Sequence, residues 1–209
     1  MRPLLLDLFC CEGGAAMGYH AAGFDVVGVD IEPRPNYPFE DVVQADALRL
    51  PFDLSSFDAI HASPPCQAFS TMTPAGNDHP DLIEPVRAML KASGLPYVME
   101  NVVGAPLDAT LMLCGTMFGK DYQRHRLFES NVLMLNGAAC DHTRDCWGVY
   151  GTGGEFDGER VGGGSRGKKA GTVRARVLFG MPWATRHGVS QCIPPVYTEF
   201  IGQQLLGAL

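Results

Sequence analysis

No apolar stretch in this 209-residue chain approaches the length of a membrane span, and the first apolar run, Leu4-Leu5-Leu6, is cut at once by Asp7. Neither a membrane span nor a signal peptide is therefore expected, and the chain reads as cytoplasmic. An even set of cysteines at framework spacings is also missing: there are seven, so reduced thiols are the simplest account. Charge is sparse at 19%, and positive charge is scarcest, with 5 Lys and Arg against 14 Asp and Glu in residues 1–100 and 4 against 8 in residues 101–159. The net charge of −7 argues against a nucleic-acid partner until its distribution is considered. Residues 160–209 carry 7 basic groups against 1 acid: Arg160, Arg166, Lys168, Lys169, Arg174, Arg176 and Arg186. A positive segment on an acidic body can contact phosphates, or can serve only as a solvated loop that keeps the chain soluble. No internal repeat is visible.

What is present is an alternation of strands and helices. Residues 4–9 predict a buried strand, Gly13-Gly14 a turn, Ala15 to Ala21 a helix ending near Gly23, and residues 26–30 a second strand. Strand, glycine turn, helix and strand open a doubly wound sheet. Residues 42–46 and 57–61 continue it. Leu82, Val86 and Leu90 mark a helix over 81–93, and residues 97–102 and 126–129 supply further strands. From Asn136 to about Gly171 apolar periodicity is lost; it returns at Val189 to Leu206, where an amphipathic helix follows Pro194-Pro195. The expected architecture is an α/β fold with a doubly wound, mostly parallel sheet. Residues 1–130 and 188–209 form one domain, interrupted by a small irregular insert at 131–187.

Chemistry concentrates at strand ends. Pro64-Pro65 stop the fourth strand and stiffen the loop that carries Cys66, at the sheet edge where such folds bind ligands. A thiol there is a candidate nucleophile if its pKa is lowered, or else a small buried hydrophobe. Asp30, Asp46 and Glu100 also fall at strand ends and would converge on it. Cys140, His142 and Cys146 lie close together, but three ligands make a poor zinc site, and Cys114 or Cys192 could complete it only through folding that the sequence does not display. No metal is assigned. Trp147 and Tyr150 could stack on bases or anchor the insert, and the second reading is preferred for want of other large side chains there.

In order, Asp7-Leu8-Phe9 with Gly13-Gly14, Asp30, Asp46, Pro64-Pro65-Cys66-Gln67 with Phe69-Ser70, Glu100-Asn101-Val102 and Arg124-His125-Arg126 resemble the cytosine-5 DNA methyltransferases. The resemblance spans 4–130, resumes at 189–206, and suggests a short, phage-like member. It implies S-adenosylmethionine as cofactor, with Phe9, Gly13, Gly14, Asp30, Ile31, Asp46 and Pro65 around it. Cys66 would attack carbon 6 of the cytosine, with Glu100 on the N3 side, Arg126 on the O2 edge, and Arg124 holding a phosphate or ordering the loop. The implied partner is double-stranded DNA with a flipped cytosine, bound by a monomer through Gln67, Ser70, Arg166, Lys168, Lys169, Arg174 and Arg176, without membrane contact. The alternatives are an RNA cytosine-5 methyltransferase, a cytosine-modifying enzyme using a derivatised donor, and a catalytically silent DNA-binding regulator. Cys11-Glu12 depart from the family's glycine turn. Glu12 would then face the donor's sulfonium or be an exposed turn acid.

Overall fold

The computed structural model describes residues 1–69, 80–150, 158–159 and 168–209. Its centre is a seven-stranded sheet of β1 (Leu4–Leu8), β2 (Asp25–Asp30), β3 (Val42–Gln44), β4 (Ala59–Ala62), β5 (Tyr97–Asn101), β6 (Leu111–Leu113) and β7 (Arg126–Ser130), in the spatial order β3-β2-β1-β4-β5-β7-β6. The first five strands pair in parallel, as expected from sequences that are nearly continuous apolar runs. β4 and β5 are buried along their whole length. Strand order reverses between β1 and β4, so the loops after these two strands diverge and leave a crevice.

β7 is antiparallel to both of its neighbours, β5 and β6. This inversion has a functional consequence. The beginning of β7, rather than its end, lies at the edge where β1, β2, β4 and β5 finish, so Arg126 arrives beside Glu100. The register pairs Glu100 with Phe128, and Arg126 is two residues from Phe128 on the same face.

Alternate residues of the strands enter two cores. Leu5, Ala59 and Val98 pack on one face with Tyr19, Phe24, Tyr197 and Ile201, whereas Leu6, Ile60 and Met99 pack on the other with Ile83, Val86 and Leu90. The first face is covered by α1 (Gly14–Ala22) and α5 (Pro195–Leu206), the second by α2 (Ile83–Ser93). Pro195 begins α5, where a missing N–H costs nothing, and Gly94 in the left-handed region ends α2.

The excursion from 131 is more integrated than an insert standing apart. Two helices absent from the sequence reading, α3 (Thr172–Phe179) and α4 (Arg186–Gln191), lie within or across its end. Ala175, Phe179, Met181 and Ala184 join the same core as Leu5 and Tyr197, and Phe179 meets Tyr122 edge-on at 4.7 Å. Two-residue strands, β8 (Gly158–Glu159) and β9 (Lys168–Lys169), pair antiparallel as a separate ribbon. No helix among the described residues is long and apolar enough to cross a membrane.

Candidate active site

The loop after β4 is held from behind. Asn101, at the end of β5, donates from Nδ2 to the Pro64 carbonyl at 2.9 Å and accepts the Val102 N–H on Oδ1 at 2.9 Å. The Ser63 N–H donates to the Leu8 carbonyl at 3.2 Å, extending the β1–β4 ladder into the loop. With both prolines rigid, Cys66 is placed half-buried on the wall of a cavity of about 390 Å³ in the crevice. Glu100, Arg126 and Gln67 line the same cavity. The sequence pattern indicated no role for Asn101. Its amide is legible as a loop anchor only once β4 and β5 are known to be neighbours.

The polar groups here are strained electrostatically. Glu100 is 5% exposed, and its Oε1 lies 2.7 Å from Arg126 Nε, yet the N–H does not point at it and Oε1 has no aligned donor among the described residues. Burial pushes the Glu100 carboxyl up, against the lowering pull of Arg126 and Arg124. Burial likewise pushes the Cys66 thiol up; Arg126 and Arg124 pull it down and Glu100 opposes them. Desolvation thus outweighs the two guanidinium groups, and the condition of a lowered thiol pKa is not met in the cavity. Gln67 Oε1 is buried without a partner among the described residues.

Arg124, grouped with Cys66, Glu100 and Arg126 by the resemblance, is not among the residues that line the cavity. Its Nη1 donates to the Val149 carbonyl at 2.8 Å and its Nη2 to the Ser190 carbonyl at 2.7 Å, with the guanidinium 5.6 Å from the Phe179 ring centroid. Enclosure lowers its pKa to about 10, which still leaves it charged at neutral pH. Arg124 orders the segment beside the site.

The other half of the cavity lies over β1 and β2. Phe9 and Cys11 hold positive φ, 61° and 49°, a conformation that costs a side-chain-bearing residue about 1–3 kcal/mol and marks a backbone shaped by its site. Gly13, at φ 75°, could carry no Cβ, because Pro38 Cδ would lie 2.4 Å from it; a Cβ on Gly14 would fall 2.5 Å from the Ile193 carbonyl. These glycines thus answer first to packing, and of the two only Gly14 lines the cavity. Asp30 accepts the Cys11 N–H on Oδ2 at 2.9 Å, and the Glu32 N–H and Arg34 Nη2 on Oδ1 at 3.0 and 2.9 Å. Ile31, 67% exposed, presents an uncovered apolar side chain at the cavity wall, and Pro65 lines it opposite the β2 end. Asp46 is exposed beyond the cavity walls, with Oδ1 accepting the Leu48 N–H.

Several wall residues had no signal in the sequence reading: Arg34, and His187, Gln191, Cys192 and Ile193 from α4 and its exit. Glu12 fits neither role considered for it. It is 7% exposed, and its carboxylate accepts the Thr185 N–H and Oγ1–H, both at 2.6 Å, tying the β1 turn to the start of α4.

Of the predicted nucleic-acid contacts, Ser70 and Arg166 lie outside the described residues. Lys168 Nζ and the Arg174 guanidinium lie over the Trp147 ring at 5.7 and 4.1 Å, and Lys169 Nζ lies 5.3 Å from the Tyr150 ring centroid. Arg176 Nε donates to the Ala184 carbonyl at 2.6 Å. The aromatic pair therefore gathers the basic groups on one part of the surface.

A family described as a methyltransferase domain matches residues 6–98, the segment that builds β1 to β5. The chain is 32% identical over 124 residues to the type II methyltransferase M.AquIA of Picosynechococcus, covering 50% of each chain. It is 39% identical over 98 residues to an uncharacterised methyltransferase of Synechocystis, covering 44% of this chain and 43% of that one. Half or less of each relative is thus spanned. The methyltransferase EhMeth of Entamoeba histolytica shares the fold over 100% of this chain and 99% of its own, with a TM-score of 0.60 at 9% identity. Residues 6–98 are thus similar to a methyltransferase domain, and the chain as a whole has the methyltransferase fold.

The similarity implies S-adenosylmethionine as cofactor, and the β1–β2 half of the cavity fits it. Ile31 offers an apolar surface to a planar base, Asp30 a carboxylate to hydroxyls, and Gly14 close backbone access. When bound, the cofactor would supply an electrophilic methyl group.

Proposed function

We propose that this chain transfers a methyl group to carbon 5 of cytosine in DNA through a covalent adduct on Cys66. The observation that carries the reading is that a thiol, a protonatable carboxyl and a guanidinium line one cavity with the groups suited to the donor: Cys66, Glu100, Arg126, and Phe9 with Asp30. The relatives named type II methyltransferases support a methyl-transfer chemistry of this kind.

Carbon 5 of cytosine is a weak nucleophile until a thiolate adds at carbon 6. Cys66 gives up its proton to water as its sulfur bonds to carbon 6, and a proton passes from the Glu100 carboxyl to ring N3. The raised pKa of Glu100 suits this donation, and the carboxylate left behind faces Arg126. Arg126 also holds the O2 edge of the ring. Carbon 5 then accepts the methyl group from the donor, its proton passes to water as the carbon–sulfur bond breaks with the electron pair returning to sulfur, and N3 returns its proton to Glu100, which restores the aromatic ring. A base inside a duplex cannot reach a half-buried sulfur, so the cytosine is flipped out. The basic groups gathered on Trp147 and Tyr150 are the phosphate-contacting surface.

A duplex carrying 5-fluorocytosine tests this directly, because the fluorine cannot leave as a proton does. Incubated with the donor, the chain should form a stable adduct visible by intact mass, and Cys66→Ser should abolish it. An adduct that survives the substitution, or one formed with tRNA and not with DNA, would defeat the proposal.

A further inference from the structure

The sequence reading found three candidate metal ligands close together in the insert, with Cys114 or Cys192 open as a fourth; the fold drops Cys146 and adds Cys114 and His125. Cys114, His125, Cys140 and His142 each direct one ligand atom to a common point, all four atoms lying within 4.8 Å of one another. Cys146 is not among them. Cys114 Sγ lies 3.8 Å from His142 Nε2, and Cys140 Sγ lies 3.7 Å from His125 Nε2. A tetrahedral zinc with Zn–S of about 2.3 Å and Zn–N of about 2.0–2.1 Å has ligand-to-ligand edges of about 3.4–3.8 Å. These two Cys–His separations match those edges, the remaining ones stay within 4.8 Å, and two of each donor type is a composition that zinc favours.

We propose that Cys114, His125, Cys140 and His142 form a structural zinc site. Cys114 closes β6 and His125 precedes β7, so their approach follows from the antiparallel pairing of these strands, with Leu113 opposite Arg126. Cys140 and His142 come from the stretch beyond β7. The ion therefore joins the sheet edge to the start of the 131–187 excursion. Four protein donors leave no open position, so the site holds structure and performs no hydrolytic chemistry. Charge balances with both cysteines as thiolates and both histidines neutral, the two thiol protons leaving to solvent on binding. Supporting groups are present: Thr116 Oγ1 lies 3.3 Å from Cys114 Sγ and accepts the Asp141 N–H at 3.1 Å, linking the two halves of the site. The site's consequence for the cavity is positional. His125 sits between Arg124 and Arg126, and fixing it sets where β7 begins.

The test uses the full chain without a histidine tag, purified under reducing conditions and reconstituted with zinc. Metal analysis should give close to one zinc per chain, and Cys140→Ser and His142→Ala should each lose most of it while Cys146→Ser retains it. Failure of the unaltered chain to retain zinc, or equal loss from Cys146→Ser, overturns the proposal. Because a cysteine variant can fail by misfolding, cobalt binding to the unaltered chain supplies a second reading. Intense visible bands of a four-coordinate ion with thiolate charge transfer are expected; a weak six-coordinate spectrum, or a Cys114–Cys140 disulfide under those reducing conditions, overturns it equally.

Discussion

Replacing Asn101 by aspartate changes one amide nitrogen to oxygen and should expose how firmly the Cys66 loop is anchored. In the native chain Asn101 is 1% exposed, and its Nδ2 is the donor that faces the Pro64 carbonyl at 2.9 Å. Aspartate keeps the acceptor for the Val102 N–H and loses that donor. An unmet buried carbonyl costs about 1–3 kcal/mol, and an ionised carboxylate opposite it brings the total to about 3–5 kcal/mol. With a urea m value of about 2 kcal/mol/M for a chain of this size, the unfolding midpoint should fall by about 1.5–2.5 M near neutral pH. The introduced carboxyl has a folded pKa raised above its unfolded value of about 3.9, so the deficit is full above the folded pKa and disappears as pH falls toward the unfolded one. At about pH 4.5 the protonated side chain can again donate to Pro64, and the gap to the native protein should narrow. Asn101→Leu, which removes both polar atoms, should cost about 2 kcal/mol at either pH. A pH-independent deficit in the aspartate variant, or one smaller than that of leucine near neutrality, would refute this account of the loop. Both variants should slow adduct formation by about tenfold or more while leaving donor binding intact, since they misplace the sulfur and do not touch the β1–β2 half.

Alkylation of Cys66, followed by peptide mapping, should rise with pH through an inflection above that of an ordinary cysteine, since burial raises the thiol; Glu100→Gln should lower the inflection and Arg126→Gln raise it, and the reverse order would be decisive against the assigned electrostatics. Glu129→Gln should cost about 1–3 kcal/mol in urea unfolding, because Arg87 grips both carboxylate oxygens at 2.8–3.1 Å and would keep Glu84 as its remaining acidic partner. Burial raises the Glu129 carboxyl, but the Arg87 hydrogen bonds outweigh it and hold the pKa down; this stabilisation is present above the unfolded carboxyl pKa and is lost as pH falls through the folded one, so acid titrations of the variant should be flatter. Glu12→Gln should weaken the fold by about 1–2 kcal/mol with donor affinity little changed in calorimetry, since the carboxylate faces Thr185; a large affinity loss would place its charge at the donor's sulfonium instead.

The parts of the fold that could be read in advance are those whose burial is two-sided. β1, β4 and β5 are covered on both faces, so their apolar runs are nearly unbroken and announce strands and order together. β6 is three residues long with Met112 39% exposed, and so short an element carries no period to detect. The helices α3 and α4 were hidden for a different reason. Arg174 and Arg176 interrupt the apolar pattern of α3, and only the finished structure shows that one lies over Trp147 and the other closes onto the Ala184 carbonyl.

The site divides in the same way. Cys66 and Glu100 could be nominated because each follows or ends a strand and such ends share an edge, whereas Arg126 is nominated only by the family resemblance. Whether a guanidinium reaches a cavity or a carbonyl depends instead on the residues that enclose it. Arg124 and Arg126 are two positions apart, yet one lines the cavity and the other donates to Val149 and Ser190. The Cys and His cluster makes the point most sharply. Cys114 and His125 are brought together by the β6–β7 pairing, a contact between one strand with no sequence signature and another whose antiparallel direction nothing in its composition reveals. Local pattern can place a residue on an element, but the partner that decides its chemistry comes from the element's direction and neighbours. The same inversion of β7 that delivers Arg126 to Glu100 also delivers His125 to Cys114, so the edge that carries Cys66 and the Cys/His cluster are consequences of one topological choice.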